Sequence, residues 1–89
     1  MKRVIIHAEV VGRRVDDEFV LVHLGTDRIV ALNDTGARIW ECLQDDPDVA
    51  AVARRLESEY GADEGSLQSD VESFVADLTR RRFVTIDDA

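Results

Sequence analysis

The stretch "IVALNDTGARIW", Ile29 to Trp40, decides the fold. In its first four residues Val30 and Leu32 share one face of an extended chain, and Ile29 and Ala31 share the other. After Asn33 the period changes: Gly36, Ile39, Trp40 and Leu43 repeat at helical spacing. Asn33 or Thr35 is placed to cap that helix by accepting hydrogen bonds from its first free N–H groups. A strand therefore passes into a helix without a linker, and Val30 and Leu32 are the core side of the strand. Gly36 lets another backbone approach closely, which would hold the helix against the sheet.

Upstream, "VIIHAEVV" (Val4 to Val11) and "FVLVHL" (Phe19 to Leu24) are rich in β-branched and aromatic residues, with turn-type "GRRVDDE" between them. The short loop Gly25-Thr26-Asp27 then joins the second strand to a third, Arg28 to Leu32. The expectation is a three-stranded antiparallel meander. Downstream, Pro47 disfavours a helical Asp46, so the first helix frays over Gln44 to Pro47. Asp48 caps a second helix with Val49, Val52, Ala53, Leu56 and Tyr60 on its apolar face, and Gly61 sits where helices commonly end. A third helix begins near Asp63 or Ser66 and carries Leu67, Val71, Phe74, Val75 and Leu78 on its apolar face. Arg80-Arg81-Arg82 suits the negative end of its dipole, and Phe83 to Ile86 is an extended tail with the option of folding back as a strand.

The 89 residues are expected to form one domain, 1–89, of the α+β class. At this size roughly 60 to 65% of the unfolded chain's surface can be buried, enough for a small core and too little for a deep active site. With 19 Asp plus Glu against 11 Lys plus Arg, the formal net charge of -8 repels phosphate backbones and disfavours nucleic acid as a partner. "MKRVIIHAEV" lacks the central apolar segment of a signal peptide, and no stretch approaches the roughly 20 apolar residues that span a bilayer. A cytoplasmic location without membrane partners is expected.

Catalytic patterns are missing. His7 and His23 have no Cys or acidic cluster at metal-ligand spacing, so no metal is expected. The serines show no nucleophile-elbow pattern, and the scattered glycines form no phosphate-cradling loop. Cys42, the one cysteine, lies on an apolar helix and reads as a buried inert thiol. No cofactor is expected.

Three antiparallel strands followed by three helices, with a possible strand at the end, is an arrangement of the winged helix-turn-helix kind. "LNDTGARIWECL", a helix ending "LESEYGAD", and "DVESFVADLTRRRFV" resemble the PqqD-like family, also called RiPP recognition elements. Leu32-Asn33-x-Thr35-Gly36-Ala37 with Trp40, Tyr60 and Asp70-Val71-x-x-Phe74 is most similar to the stand-alone versions that serve lasso-peptide biosynthesis. The resemblance covers roughly residues 15 to 86. It implies a non-catalytic adaptor that binds the leader segment of a ribosomally made precursor peptide. The adaptor presents that segment to a leader peptidase and a macrocyclase.

The resemblance further implies that the leader adds an antiparallel strand to the third strand and lies between it and the third helix. Carried over by position, the pairing residues are Arg28, Ile29, Val30, Ala31 and Leu32. Phe74, with Leu67, Val71 and Leu78 behind it, is expected to supply an apolar pocket, and Asp70, Asp77 and Arg81 to fix register by charge. An edge strand with unpaired N–H and C=O groups is the physical requirement for such recognition.

Other readings differ in class. A winged-helix DNA-binding protein shares the fold, and Arg80-Arg81-Arg82 is a local basic patch. The acidic third helix, with Asp70, Glu72 and Asp77 where a reading helix wants Arg, Lys, Asn or Gln, opposes it. A minimal enzyme with Cys42 as nucleophile is the weaker rival. A PqqD-like chaperone of another peptide-modification pathway uses the same domain.

Overall fold

A computed structural model describes residues 2–87. In chain order the elements are β1 (Arg3–Ile6), β2 (Val10–Val15), β3 (Glu18–His23), β4 (Arg28–Leu32), α1 (Asp34–Asp45), α2 (Val49–Tyr60), α3 (Gln68–Arg80) and β5 (Val84–Asp87). The α+β class and the three helices match the sequence reading. The strands form two antiparallel sheets, β2-β3-β4 and β1-β5.

The meander therefore exists, but its first strand is not Val4 to Val11. Val10 donates its N–H to the His7 carbonyl (3.0 Å), which turns the chain and splits that segment in two. The first half, β1, pairs with β5 in the register Val4↔Ile86. Its other side is tied to the loop before α2, where Val4 N–H donates to Pro47 O (2.8 Å) and Val49 N–H to Lys2 O (3.2 Å). The second half absorbs Gly12, Arg13, Arg14 and Val15, so the expected "GRRVDDE" turn shrinks to Asp16-Asp17, with Asp16 at φ 56.

Capping fixes the helices. Asn33 is the α1 cap, its side chain accepting from Gly36 N–H (2.7 Å). Asp48 caps α2 through Ala50 N–H (3.0 Å), and Gly61 ends that helix at φ 63. Helix α3 has no capping side chain of its own and starts later than the sequence suggested, at Gln68. Its first turn is held from α2 instead: the buried Glu57 carboxylate accepts from Leu67 N–H (2.9 Å). At the far end Arg82 adopts φ 64, and Phe83 N–H donates back to Leu78 O (2.9 Å). This reversal drives Phe83 into the core, where it is fully buried.

One core cluster joins the sheets and helices: Leu21 from β3, Trp40 from α1, Leu56 from α2, Val71 and Leu78 from α3, and Val84 from β5. Gly12, itself exposed, borders the cluster where a side chain would collide with it. A Cβ there would stand 2.7 Å from the Phe19 ring and 2.9 Å from Trp40 Nε1. The indole N–H is buried and has no hydrogen-bond partner among the described residues.

Candidate functional site

Strand β4 ends the order β2-β3-β4, so among the described residues one of its edges carries no strand. Which backbone groups face that edge follows from the ladder. In an antiparallel ladder a residue of a central strand turns both its N–H and its C=O to one neighbour, and the next residue turns both to the other. Leu24 N–H donates to Glu9 O (2.9 Å), so Leu24 faces the β2 side. By alternation Val22, Val20 and Glu18 also face β2, while His23, Leu21 and Phe19 face β4. The two-residue turn at Asp16-Asp17 requires the same parity, because the pair that closes it, Val15↔Glu18, is hydrogen-bonded. The β4 partners of His23, Leu21 and Phe19 are Arg28, Val30 and Leu32. Ile29 and Ala31 are left, and their N–H and C=O groups point out of the sheet along its free edge.

Below this edge runs a groove of about 240 Å³. Val30, Ala31 and Leu32 form one wall, Phe74, Asp77, Leu78 and Arg81 of α3 the other, and Asn33 and Gly36 the end at the start of α1. Gly36 explains how α3 comes so close. A Cβ on it would lie 3.2 Å from Phe74 Cε1 and 3.2 Å from Asn33 Oδ1. The group that uses the space left by Gly36 is thus an aromatic ring, where the sequence suggested a backbone. Phe74 is half-buried and packs against the core without being sealed in it.

Side-chain directions divide the residues named from sequence. Val30 and Leu32 turn half-buried side chains inward, whereas Arg28, Ile29 and Ala31 are exposed, Ile29 at 66%. Leu78 is 1% exposed and Val71 0%, so both back the groove from within the core, and Val71 does not reach its surface. Leu67 is half-buried at the start of α3, and Asp70 is exposed on its first turn; neither lines the groove. Asp77 lies between two guanidinium groups, Arg80 at 2.9 Å and Arg81 at 3.0 Å. These partly exposed pairs add only about 0 to 1 kcal/mol each to stability. The Asp77–Arg81 pair holds the Arg81 side chain against the groove wall, and Arg80 lies outside the groove. Asn33 and Gly36 were read as a cap and a packing position; the strand-to-helix junction that contains them was the signal that they also lie at the site.

Cys42 has no access to chemistry. It is fully buried, and burial pushes its thiol above the ordinary value against the pull of Arg38 and Arg55. Among the described residues no group of three or more His, Cys, Asp or Glu could hold a metal ion. No helix among them is long and apolar enough to cross a membrane.

An antiparallel sheet with a free edge above a helix-lined groove defines a peptide-pairing type of site. Residues 18–84 match the family described as coenzyme PQQ synthesis protein D, PqqD. The chain belongs to the PqqD family, whose members include the RiPP recognition elements its sequence resembles. The matched span runs from β3 to the first residue of β5 and so contains β4, α3 and the groove. Among solved structures the chain is similar to TbiB1 in complex with the TbiA(beta) leader peptide, at 29% identity and a TM-score of 0.79, covering 90% of this chain and 93% of that one. It is also similar to a lasso peptide synthetase B1 complexed with the leader peptide, at 26% identity and a TM-score of 0.81, covering 93% and 98%. No curated protein matches it.

Proposed function

We propose that this chain is a non-catalytic adaptor of lasso-peptide biosynthesis that binds the leader segment of a precursor peptide by strand addition to β4. The observation that carries the reading is the outward parity of Ile29 and Ala31 directly above the Phe74 groove. Two donor–acceptor pairs two residues apart match the backbone repeat of an extended peptide. Side chains of alternate peptide residues then enter the groove between Val30, Leu32, Phe74 and Leu78, and Arg81 offers a charge at its rim. Similarity to two proteins solved with leader peptides supports this assignment.

In this reading the meander and helices act as one winged-helix-like domain over residues 1–89, working in the cytoplasm. The bound leader is handed to a leader peptidase and a macrocyclase, and no cofactor takes part. Titration calorimetry with a synthetic leader peptide tests it, together with mass spectrometry of the recovered peptide. The expected outcome is binding with the peptide's covalent structure unchanged. Cleavage or modification by the chain alone would overturn the adaptor role, and absence of binding would overturn the leader assignment.

A further inference from the structure

A second, larger depression of about 790 Å³ lies beyond the C-terminal end of α3, between that end, the β3–β4 loop and β5. Its walls include His7, His23, Thr26, Arg80, Arg82 and Thr85, and among the described residues no carboxylate lines it. That is unusual in a chain with 19 acidic residues and a net charge of -8. His23 is 8% exposed, and its Nδ1 accepts from Gly25 N–H (3.2 Å). The remaining ring nitrogen, Nε2, is then the one free to donate, and it has no partner among the described residues. The His7 ring stands 5.9 Å from the His23 ring, and the Phe83 ring at 5.7 Å fixes His23 edge-on. Arg80 is shared with Asp77, whereas Arg82 makes no ion pair among the described residues. Arg82 also occupies a left-handed position, φ 64, where Gly or Asn is the ordinary choice. The depression therefore offers imidazole, guanidinium and hydroxyl donors to an anion, and among the described residues Asp77 is the carboxylate paired with one of its lining arginines.

Its place relative to the groove indicates which anion. Leu78 and Arg81 line the groove, and Thr79, Arg80 and Arg82 line the depression, so the two meet around the last turn of α3. On the sheet side the groove begins at Val30, and the depression takes in Thr26 just before the start of β4. A strand antiparallel to β4 runs from Leu32 toward Arg28. Its C-terminal continuation passes the Thr26 loop and the Arg82 side of α3. We infer that the depression binds acidic side chains of the bound peptide, located a few residues C-terminal to the segment that pairs with β4. This rests on the strand-addition reading above and adds to it a second subsite with a charge preference and a direction.

The test uses two synthetic peptides that share one leader-derived pairing segment and differ only in a C-terminal tail, Glu-Glu-Glu or Gln-Gln-Gln. By fluorescence polarisation the Glu tail should bind about tenfold more tightly at low salt, with the advantage collapsing near 0.5 M salt, where charges are screened within about 4 to 5 Å. Arg82→Asn, which suits the left-handed backbone, combined with Arg80→Gln should abolish the advantage and leave the Gln-tail affinity unchanged. Arg54→Gln, a charge removed from α2, should leave the advantage intact. Equal affinity of the two tails, or an advantage that survives the Arg80 and Arg82 changes, overturns the inference. If neither peptide binds, strand addition itself has failed. The subsite is then judged alone by NMR titration with acetylated tri-glutamate amide and with inorganic phosphate. Shifts of the His23 and Arg82 side-chain signals with tri-glutamate only would support it. Equal shifts with phosphate would make it a small-ion site and overturn it, as would no shifts.

Discussion

A proline scan of β4 tests the derived ladder parity and the mode of peptide binding together. Proline at Val30 removes an N–H that faces Leu21 across the β3–β4 ladder. Leu21 is 0% exposed, so its carbonyl is left dry, which costs about 1 to 3 kcal/mol. The ring also pulls φ from the antiparallel strand range of about -140° toward about -65°. Against a total stability of about 0.05 to 0.15 kcal/mol per residue, Val30→Pro should melt far below wild type or fail to fold. Ile29→Pro and Ala31→Pro remove N–H groups that no strand uses, so the chain should stay folded by circular dichroism with a modest loss of melting temperature. Each should leave one carbonyl of the bound peptide without its donor. A loss of about 1.5 to 3 kcal/mol, or roughly tenfold to more than hundredfold in Kd, is expected by calorimetry. A folded Val30→Pro beside unfolded Ile29→Pro and Ala31→Pro would refute the parity. Wild-type affinity in folded Ile29→Pro and Ala31→Pro would refute strand addition to β4.

The remaining predictions concern the groove and its supports. Phe74→Ala should weaken leader binding by about 1 to 3 kcal/mol while destabilising the fold less than the roughly 3 to 5 kcal/mol of a full core truncation; calorimetry and thermal melts separate the two. Gly36→Ala places a methyl 3.2 Å from the Phe74 ring, so the ring must shift. Helix propensity offsets that strain by up to about 1 kcal/mol, and binding should fall more than stability. Glu57→Ala removes the carboxylate that caps α3 at Leu67 and should cost about 1 to 3 kcal/mol in denaturant melts, with hydrogen exchange accelerated first at the start of α3. The Arg38 guanidinium, hydrogen-bonded to Glu59, holds that carboxylate below its ordinary value. A lowered folded-state value means a contribution present above the ordinary carboxylate range and lost as pH falls through the lowered one. Acid should therefore loosen the α1–α2 contact, and Glu59→Gln should flatten that part of the pH profile of the melting temperature.

What the sequence determined by itself was local. The passage from β4 to α1, the inward face of Val30 and Leu32, a cap at Asn33 or Thr35, the Asp48 cap, the Gly61 stop and the buried row Val71, Val75 and Leu78 all depend on residues within a turn or two of one another. Periodicity and capping operate at that range, so they can be read from the chain. Val30, Leu32, Phe74 and Leu78 were legible for the same reason, since β4 and α3 each announce their own faces, whereas Leu67 and Asp70 share the α3 reading but lie outside the groove. Three decisions belonged to the tertiary structure. The segment Val4 to Val11 is strand-forming at both ends, and the pairing of β1 with β5, from the opposite end of the chain, shows that it breaks at His7-Ala8-Glu9 between them. Helix α3 starts at Gln68 because Glu57, a residue of another helix, supplies the acceptor its own first turn lacks. The outward pair Ile29 and Ala31 is set by the register of β4 against β3, which descends from the closing pair of a two-residue turn. A slip of one residue there would reverse every backbone group at the edge while leaving the composition of the strand unchanged. Propensity is indifferent to that choice, and only the assembled ladder makes it.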